Sequence, residues 1–368
     1  MSDRNTAGPS VVIASDSAAP SGVGEHMLTL AGALRDTHTI RLAFSGEGSG
    51  PAFSRRAEAA GLETDCIAGD EQDLTQWLRE LRPDLLHVHA GIAWEGHGLT
   101  SAGWMAGVSV VRTEHLPYLL TDERQKEEYA LAAGLVDHTI FVSDSARHTF
   151  STTGKRCTTI RNGIAAPEPR LSRPRVRSEL GLADDDLVVM TVARFTPQKG
   201  HARLLAAAAQ IMVRRTDIRL LLVGDGPERE AMERLAEELG IAASVRFLGE
   251  RTDVADLMGA ADLFVLASLF EGLPLVVLEA MASGLPVVAS RIGGTAEALG
   301  SDYPWLVGGD DETALANAIG SALEDTSARR KLGKRNRQRF EAEFKAERMA
   351  AETAALYRAV LAERTVFA

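Results

Sequence analysis

The sequence predicts an α/β protein built from two Rossmann-like domains, and three observations carry that expectation. The chain has 368 residues, enough for two such domains with a core in each. Both halves alternate short apolar, β-leaning runs with helical stretches, the rhythm of parallel sheets covered by helices. The stretch Ala261–Gly294 condenses that rhythm into a single strand–loop–helix–strand unit, ADLFVLASLFEGLPLVVLEAMASGLPVVASRIGG.

Within this stretch Ala261–Ala267 reads as a buried parallel strand. Pro274–Ser283 has helical composition, with Pro274 in the first turn and Gly284 placed to end it. Pro286–Ser290 is a second strand, and Gly293-Gly294 is expected to turn the chain again. Ser268–Leu273 is then the loop after a strand's C-terminal end, where open α/β sheets hold ligands. Glu271 lies in that loop and Glu279 inside the helix. Both carboxylates could face something held at the helix start, whose free N–H groups suit a phosphate. The spacing fits equally a first-turn acid stabilising the helix dipole and a second acid on a solvated face.

Bulk properties narrow the class. Hydrophobic residues are 45% of the chain, net charge is −11 and the isoelectric point is about 5.4. That balance argues against nucleic acid as the main partner and disfavours docking on an anionic membrane. No apolar run reaches the length of a spanning helix. The opening MSDRNTAGPS lacks a signal peptide's apolar region, so a cytoplasmic location is expected. Two cysteines, Cys66 and Cys157, are too few for a disulfide scaffold or a metal cluster and are expected to be buried thiols.

In the first half, Val11–Ala14 is a strand, Asp16–Gly24 a small-residue loop and Glu25–Leu34 a helix. Gly22 and Gly24 permit a tight turn, but position 27 is Met where a nicotinamide site would carry its third glycine. Thr39–Phe44 is a strand, Ser45–Ser54 a Gly/Ser-rich loop, Leu74–Leu81 a helix and Leu85–His89 a strand. His87 and His89 share one strand face. The sequence suggests no third ligand, so no metal site is assigned. Val108–His115 is a strand ending in Thr113-Glu114-His115, either a functional triplet or a capping cluster. Tyr118–Glu128 is charged and reads as a lid, an acceptor-facing loop or a solvated helix start. His138–Ser143 and Thr158–Gly163 are further strands, with Asn162-Gly163 suited to a positive-φ turn. The proline- and arginine-rich Ala166–Arg177 reads as a linker.

In the second half the strand Leu187–Val192 delivers Arg194 and Lys199. Two cations five residues apart could bracket a diphosphate, the arginine as a fixed fork and the lysine as a point charge. An ordinary basic loop is the alternative. Ile218–Val223 runs into Gly224-Asp225-Gly226-Pro227, and Val245–Gly249 into Arg251. Asp184–Asp186 and Asp310-Asp311 look like surface loops. Arg329–Tyr357 reads as long helical sequence containing the basic run RRKLGKRNRQR.

The wording EGLPLVVLEAMASGLPVVAS followed by GG resembles the signature of the retaining nucleotide-sugar glycosyltransferases of family 4. Glu271 and Glu279 match its E-x7-E pair. Arg194, Phe195, Lys199 and Gly200 match R-[LF]-x-x-x-K-G, and Gly224 and Gly226 match G-x-G-P. Asn162-Gly163 is similar to the family's N-G-hydrophobic turn, and Glu297 to the acid of G-G-x-x-E. Gly22 and Gly24 match the glycine loop of the first domain approximately.

The resemblance implies the GT-B fold, two facing Rossmann-like domains with an interdomain cleft. It implies an acceptor-binding domain over 1–165, a linker over 166–184, a nucleotide-sugar-binding domain over 185–345 and a helix over 346–368 that crosses back to the first domain. Glu271 would hydrogen-bond the donor sugar and Glu279 the ribose. Arg194 and Lys199 would neutralise the departing diphosphate in place of a metal ion. Leu275 and Val276 would offer backbone amides to the phosphates, Gly22 and Gly24 would lie near the donor phosphates or the acceptor, and Gly224 and Gly226 would let the chain pass the nucleotide closely. Arg251 would contact the nucleotide, His89 would lie near the acceptor, and His115 would support the transferred sugar. The implied activity is metal-independent retaining transfer of a hexosyl-type group from a UDP- or GDP-sugar to a soluble small-molecule acceptor, with no cofactor. The alternatives are a lipid or polysaccharide acceptor, a non-hydrolysing nucleotide-sugar epimerase, and a catalytically weak sugar-nucleotide-binding scaffold.

Overall fold

Seven described strands form the first sheet: β1 (Ser10–Ser15), β2 (Thr39–Ser45), β3 (Glu63–Ile67), β4 (Leu85–Ala90), β5 (Ser109–Glu114), β6 (His138–Phe141) and β7 (Cys157–Thr159). Six form the second: β8 (Leu187–Val192), β9 (Ile218–Val223), β10 (Val245–Gly249), β11 (Leu263–Leu266), β12 (Val287–Ser290) and β13 (Leu306–Val307). The computed structural model describes residues 8–19, 21–116, 120, 122–150, 156–308 and 311–367, with the backbone alone at 364–367. The chain divides into one unit of Met1–Ile164 with Ala346–Ala368 and a second of Ala165–Lys345.

The strand order is β3-β2-β1-β4-β5-β6-β7 in the first sheet and β10-β9-β8-β11-β12-β13 in the second. All pairings within both are parallel. Both follow the doubly wound order, which reverses between β1 and β4 and again between β8 and β11. Central strands are apolar because helices cover both faces: Val11–Ala14, Leu220–Val223 and Leu263–Leu266 are at most 1% exposed. In the first unit the helix Ala346–Phe367 lays Met349, Ala350, Tyr357 and Val360 into the core beside Val11, Ile13 and Met27.

Several expectations require correction. The helix after β1 spans Ser21–Leu34, so Gly22 and Gly24 lie in its first turn and not in a loop. Gly24 is there for packing, since a Cβ would meet the Phe53 ring at 2.5 Å. Gly50–Ala59 is a helix with proline near its start, so the loop after β2 is only a few residues long. Gly293-Gly294 opens the helix Gly293–Leu299. Gly163 is not among the positive-φ glycines, and its amide faces Met349 Sδ at 3.1 Å. Cys66 is exposed on the edge strand β3, and Cys157 is half-buried.

Residues 166–184 are not an open linker. They contain the helix Arg173–Glu179, anchored by Arg173 Nη2 to Asp262 Oδ1 at 2.7 Å and by Arg177 Nη2 donating to the Asp186 carbonyl at 2.6 Å. The long C-terminal helical run breaks at residues 344–345 into Thr326–Glu343 and Ala346–Phe367. Arg330, Lys331 and Lys334 of the basic run are exposed, but three of its arginines bind carbonyls of other helices. Arg329 donates to the Ala322 carbonyl at 2.8 Å, Arg339 Nε to the Ala298 carbonyl at 2.7 Å, and Arg337 to the Ala282 carbonyl. Three helix C-termini thereby receive cations, where the dipole favours them. Residues 118, 119 and 121 of the Tyr118–Glu128 stretch, and Asp310, lie outside the described residues. Asp311 caps the helix Glu312–Glu324.

Candidate active site

In the second unit the loop after β11 carries Ser268, Leu269, Phe270 and Glu271, and the helix Leu275–Ala282 follows with Pro274 as its N-cap. Lys199, in the turn after β8, reaches Glu271: Lys199 Nζ stands 2.6 Å from Glu271 Oε1, to which Ser268 Oγ also donates at 2.8 Å. Glu271 is 7% exposed, while the Lys199 side chain is 22% exposed, so the carboxylate is the more deeply buried partner. The two loops are stitched together by backbone. Leu269 N–H donates to the Gln198 carbonyl at 2.8 Å, and Gln198 Nε2 to the Phe270 carbonyl at 2.9 Å.

Leu275, Val276 and Glu279 are half-buried, while Val277, Leu278, Ala280 and Met281 face the core. Glu279 lies one turn from Leu275 on the accessible side, so the helix start and this carboxylate share a face. Pro274 has no N–H and the Val277 N–H donates to the Pro274 carbonyl at 3.1 Å, which leaves the Leu275 and Val276 N–H groups at the helix start without intrahelical acceptors. This edge therefore combines N–H donors and a cation with two carboxylates.

Arg194 is exposed and makes no ion pair among the described residues. Its loop is braced by the next one. Gly224 (φ 126°) and Gly226 (φ 155°) hold conformations that L side chains rarely adopt, and a Cβ at Gly224 would meet the Ala193 carbonyl oxygen at 2.1 Å. Phe195 N–H donates to the Asp225 carbonyl at 2.9 Å. These glycines thus bring the chain against the Arg194 loop. Arg251 is engaged differently: its guanidinium grips Asp253 at 2.8 and 2.6 Å. Asp186, from the first acidic run, is buried and paired with Arg219 at 3.0 Å.

In the first unit His115 follows β5, its backbone N–H donating to the Ala90 carbonyl at 3.0 Å. Its Nε2 lies 3.1 Å from His89 Nδ1. His26, from the helix Ser21–Leu34, packs against both. Burial, reinforced by the neighbouring imidazoles, pushes His89 and His115 well below their ordinary range, so both are neutral. Sequence reasoning did not single out His26. It comes close to His89 only because β1 and β4 are sheet neighbours. The loop after β4 is tied down by Gly96 N–H donating to Asp16 Oδ1 at 2.9 Å and by Arg112 Nη2 donating to the Ala93 carbonyl at 3.1 Å. Arg112 and Glu114 form a buried pair at 2.6 Å beneath it, which gives Glu114 of the polar triplet a structural partner.

Residues 172–339 match the family model described as Glycosyl transferases group 1, and residues 20–166 match Glycosyltransferase Family 4. Among curated proteins, the chain is 33% identical over 188 residues to N-acetyl-alpha-D-glucosaminyl L-malate synthase of Bacillus anthracis, covering 51% of this chain and 49% of that protein. It is 34% identical over 169 residues to the lipopolysaccharide core biosynthesis glycosyltransferase LpsD of Rhizobium meliloti, covering 46% and 47%. The matches thus span about half the length of these relatives. Among solved structures, Anabaena HepE in complex with UDP-glucose superposes with a TM-score of 0.83 at 23% identity, covering 95% of this chain and 99% of that one. No helix among the described residues is long and apolar enough to cross a membrane.

Proposed function

The chain belongs to the glycosyltransferases of group 1 and family 4 and has their GT-B fold; from that premise we propose that it is a retaining hexosyltransferase using a UDP- or GDP-linked sugar and a small-molecule acceptor. The observation that carries this reading is the Lys199–Glu271–Ser268 cluster beside the start of the helix that bears Glu279.

In this mechanism Arg194 and Lys199 hold the donor's diphosphate, and the first-turn amides at Leu275 and Val276 assist. Glu279 accepts hydrogen bonds from the ribose hydroxyls. Glu271 accepts from the sugar and lies near the anomeric carbon, where positive charge develops. The bond from that carbon to the diphosphate oxygen breaks. The acceptor hydroxyl oxygen attacks from the same face, and its proton passes to the departing phosphate oxygen. His115, held neutral, supports the sugar by hydrogen bonding. Two cations take up charge on the leaving group, so this chemistry needs neither a divalent ion nor another cofactor. Gly22 and Gly24, at the start of their helix, lie near the acceptor or the donor phosphates, His89 lies near the acceptor, and Arg251 contacts the nucleotide when released from Asp253.

The N-acetyl-alpha-D-glucosaminyl L-malate synthase relative favours a soluble acceptor. The lipopolysaccharide relative favours the second reading, a lipid-linked or polysaccharide acceptor. The acidic balance favours the first, in the cytoplasm and without membrane docking. Calorimetry with UDP, GDP, ADP and dTDP, with and without magnesium, tests the donor half. The expected result is tight binding of UDP or GDP, unchanged by magnesium. Binding of none of the four would sink the reading. Anomeric NMR of the product tests retention.

A further inference from the structure

Three imidazoles from separate elements converge in the first unit: His26 from the helix Ser21–Leu34, His89 from β4 and His115 just after β5. One ring nitrogen of each lies within 4.8 Å of the other two. The ring centroids are 5.1 Å apart for His26 and His89, 4.9 Å for His26 and His115, and 5.4 Å for His89 and His115. Imidazoles sharing a tetrahedral zinc, at about 2.0–2.1 Å per Zn–N bond, place their centroids roughly 5 Å apart. Their ligand nitrogens stand roughly 3.3 Å apart on the same bond length, and His89 Nδ1 and His115 Nε2 are separated by 3.1 Å.

Two further observations point to a ligand. His26 Nδ1 is buried and has no hydrogen-bond partner. All three rings are also kept neutral by burial, which is the form in which an imidazole binds a metal. His87 is not part of the set, because Tyr357 Oη at 2.6 Å and Thr113 Oγ1 at 2.7 Å occupy both its nitrogens. No fourth His, Cys, Asp or Glu among the described residues joins the group. Three neutral nitrogens with no carboxylate suit a borderline-soft ion and not magnesium or calcium, with water completing the tetrahedron.

We propose that His26, His89 and His115 form a binding site for a divalent transition-metal ion, zinc foremost, and that its occupation silences transfer by withdrawing His115 from the donor sugar. The silencing half rests on the placement of His115 given under Proposed function; the site itself does not. Small side-chain shifts bring the three nitrogens onto one ion. Catalysis without metal and inhibition by metal are then two states of one histidine.

The test uses the full chain without a polyhistidine tag, stripped of metal. Zinc is titrated against a chromophoric chelator, and Co²⁺ is followed by its visible absorption. The expected result is one equivalent bound, with intense tetrahedral Co²⁺ bands. His26→Gln and His89→Gln should each weaken binding at least tenfold while keeping a cooperative thermal transition. Zinc should inhibit wild-type transfer with the midpoint of the binding curve, a chelator should restore it, and His26→Gln should resist. Wild-type uptake no greater than that of the two variants would overturn the site. If the variants do not fold, the wild-type spectrum decides alone: absent or weak octahedral bands overturn it. Zinc bound with these spectra but without inhibition would overturn the silencing half and the sugar contact of His115, and leave the site standing.

Discussion

Lys199 Nζ stands 2.6 Å from Glu271 Oε1, so the cation and the carboxylate hold one another in place before any ligand arrives. Glu271 is buried and Lys199 only partly so, which means that removing either leaves its partner incompletely compensated. Lys199→Ala and Glu271→Gln are each expected to lower kcat by about 10²–10³-fold, the usual cost of one preorganised electrostatic contact. Lys199→Ala should also weaken binding of the nucleoside diphosphate. Steady-state kinetics with calorimetry checks both. Unchanged diphosphate binding in Lys199→Ala would remove the cation from its assigned role.

Glu279 lies a turn into its helix, on the face shared with Leu275. Glu279→Ala is expected to weaken UDP or GDP binding by about 10-fold, in line with the loss of a hydrogen bond to a charged acceptor, and to change kcat much less. A kcat loss equal to the loss in kcat/KM would show that the carboxylate acts in the transition state instead.

Gly294 opens its helix directly under the loop that carries Glu271. A Cβ there would meet the Gly272 carbonyl oxygen at 2.2 Å and the Glu271 carbonyl oxygen at 3.0 Å. Both contacts are backbone and cannot rotate away. Gly294→Ala is expected to cost about 1–3 kcal/mol of stability and, by displacing Glu271, about 10²-fold in kcat. Wild-type activity in this variant would show that the loop tolerates displacement.

Stability should fall in mild acid. Burial pushes His26 down to about 4 and His87 down to about 3, against an ordinary value of 6.5. Above about pH 7.5 neither the folded nor the unfolded chain appreciably protonates these rings, so they contribute no pH dependence. Below about pH 6.5 the unfolded chain takes up protons that the folded chain refuses, and each ring removes about 1.4 kcal/mol per pH unit until its folded pKa is reached. Denaturant midpoints should therefore agree at pH 7.5 and 8.5 and drop clearly by pH 5.5. Equal midpoints at pH 7.5 and 5.5 would contradict the buried neutral assignment.

The central strands were legible because burial on both faces leaves mostly apolar residues: Leu187–Val192 and Ile218–Val223 have the limits read from sequence. The edge strand β3 was not, because ETDCI is largely polar and only Ile67 of its five residues is buried. The helix Gly50–Ala59 was hidden by its Gly-Pro opening, which is also how a loop begins. In the site, the placement of Glu271 before the helix and Glu279 within it could be read from Gly272 and Pro274. The union of Lys199 with Glu271 could not, because it depends on β8 and β11 being neighbours. The basic run was ambiguous for a related reason: its acceptors are carbonyls at the ends of other helices, and carbonyls leave no trace in a sequence.

The first unit is closed by residues that follow the second. Ala346 N–H donates to the Ile164 carbonyl at 3.0 Å, and Tyr357 Oη lies 2.6 Å from His87 in the middle of the first sheet. On the ribosome the order of synthesis is therefore not the order of completion. At about 5–20 residues per second, the intervening chain takes roughly 10–40 s to make. Throughout that interval the first sheet lacks the side chains that seal one of its faces, and the second unit has all of its own residues before the first does. Nascent chains arrested before residue 346 should present this uncovered face to chaperones, and chains released after it should not.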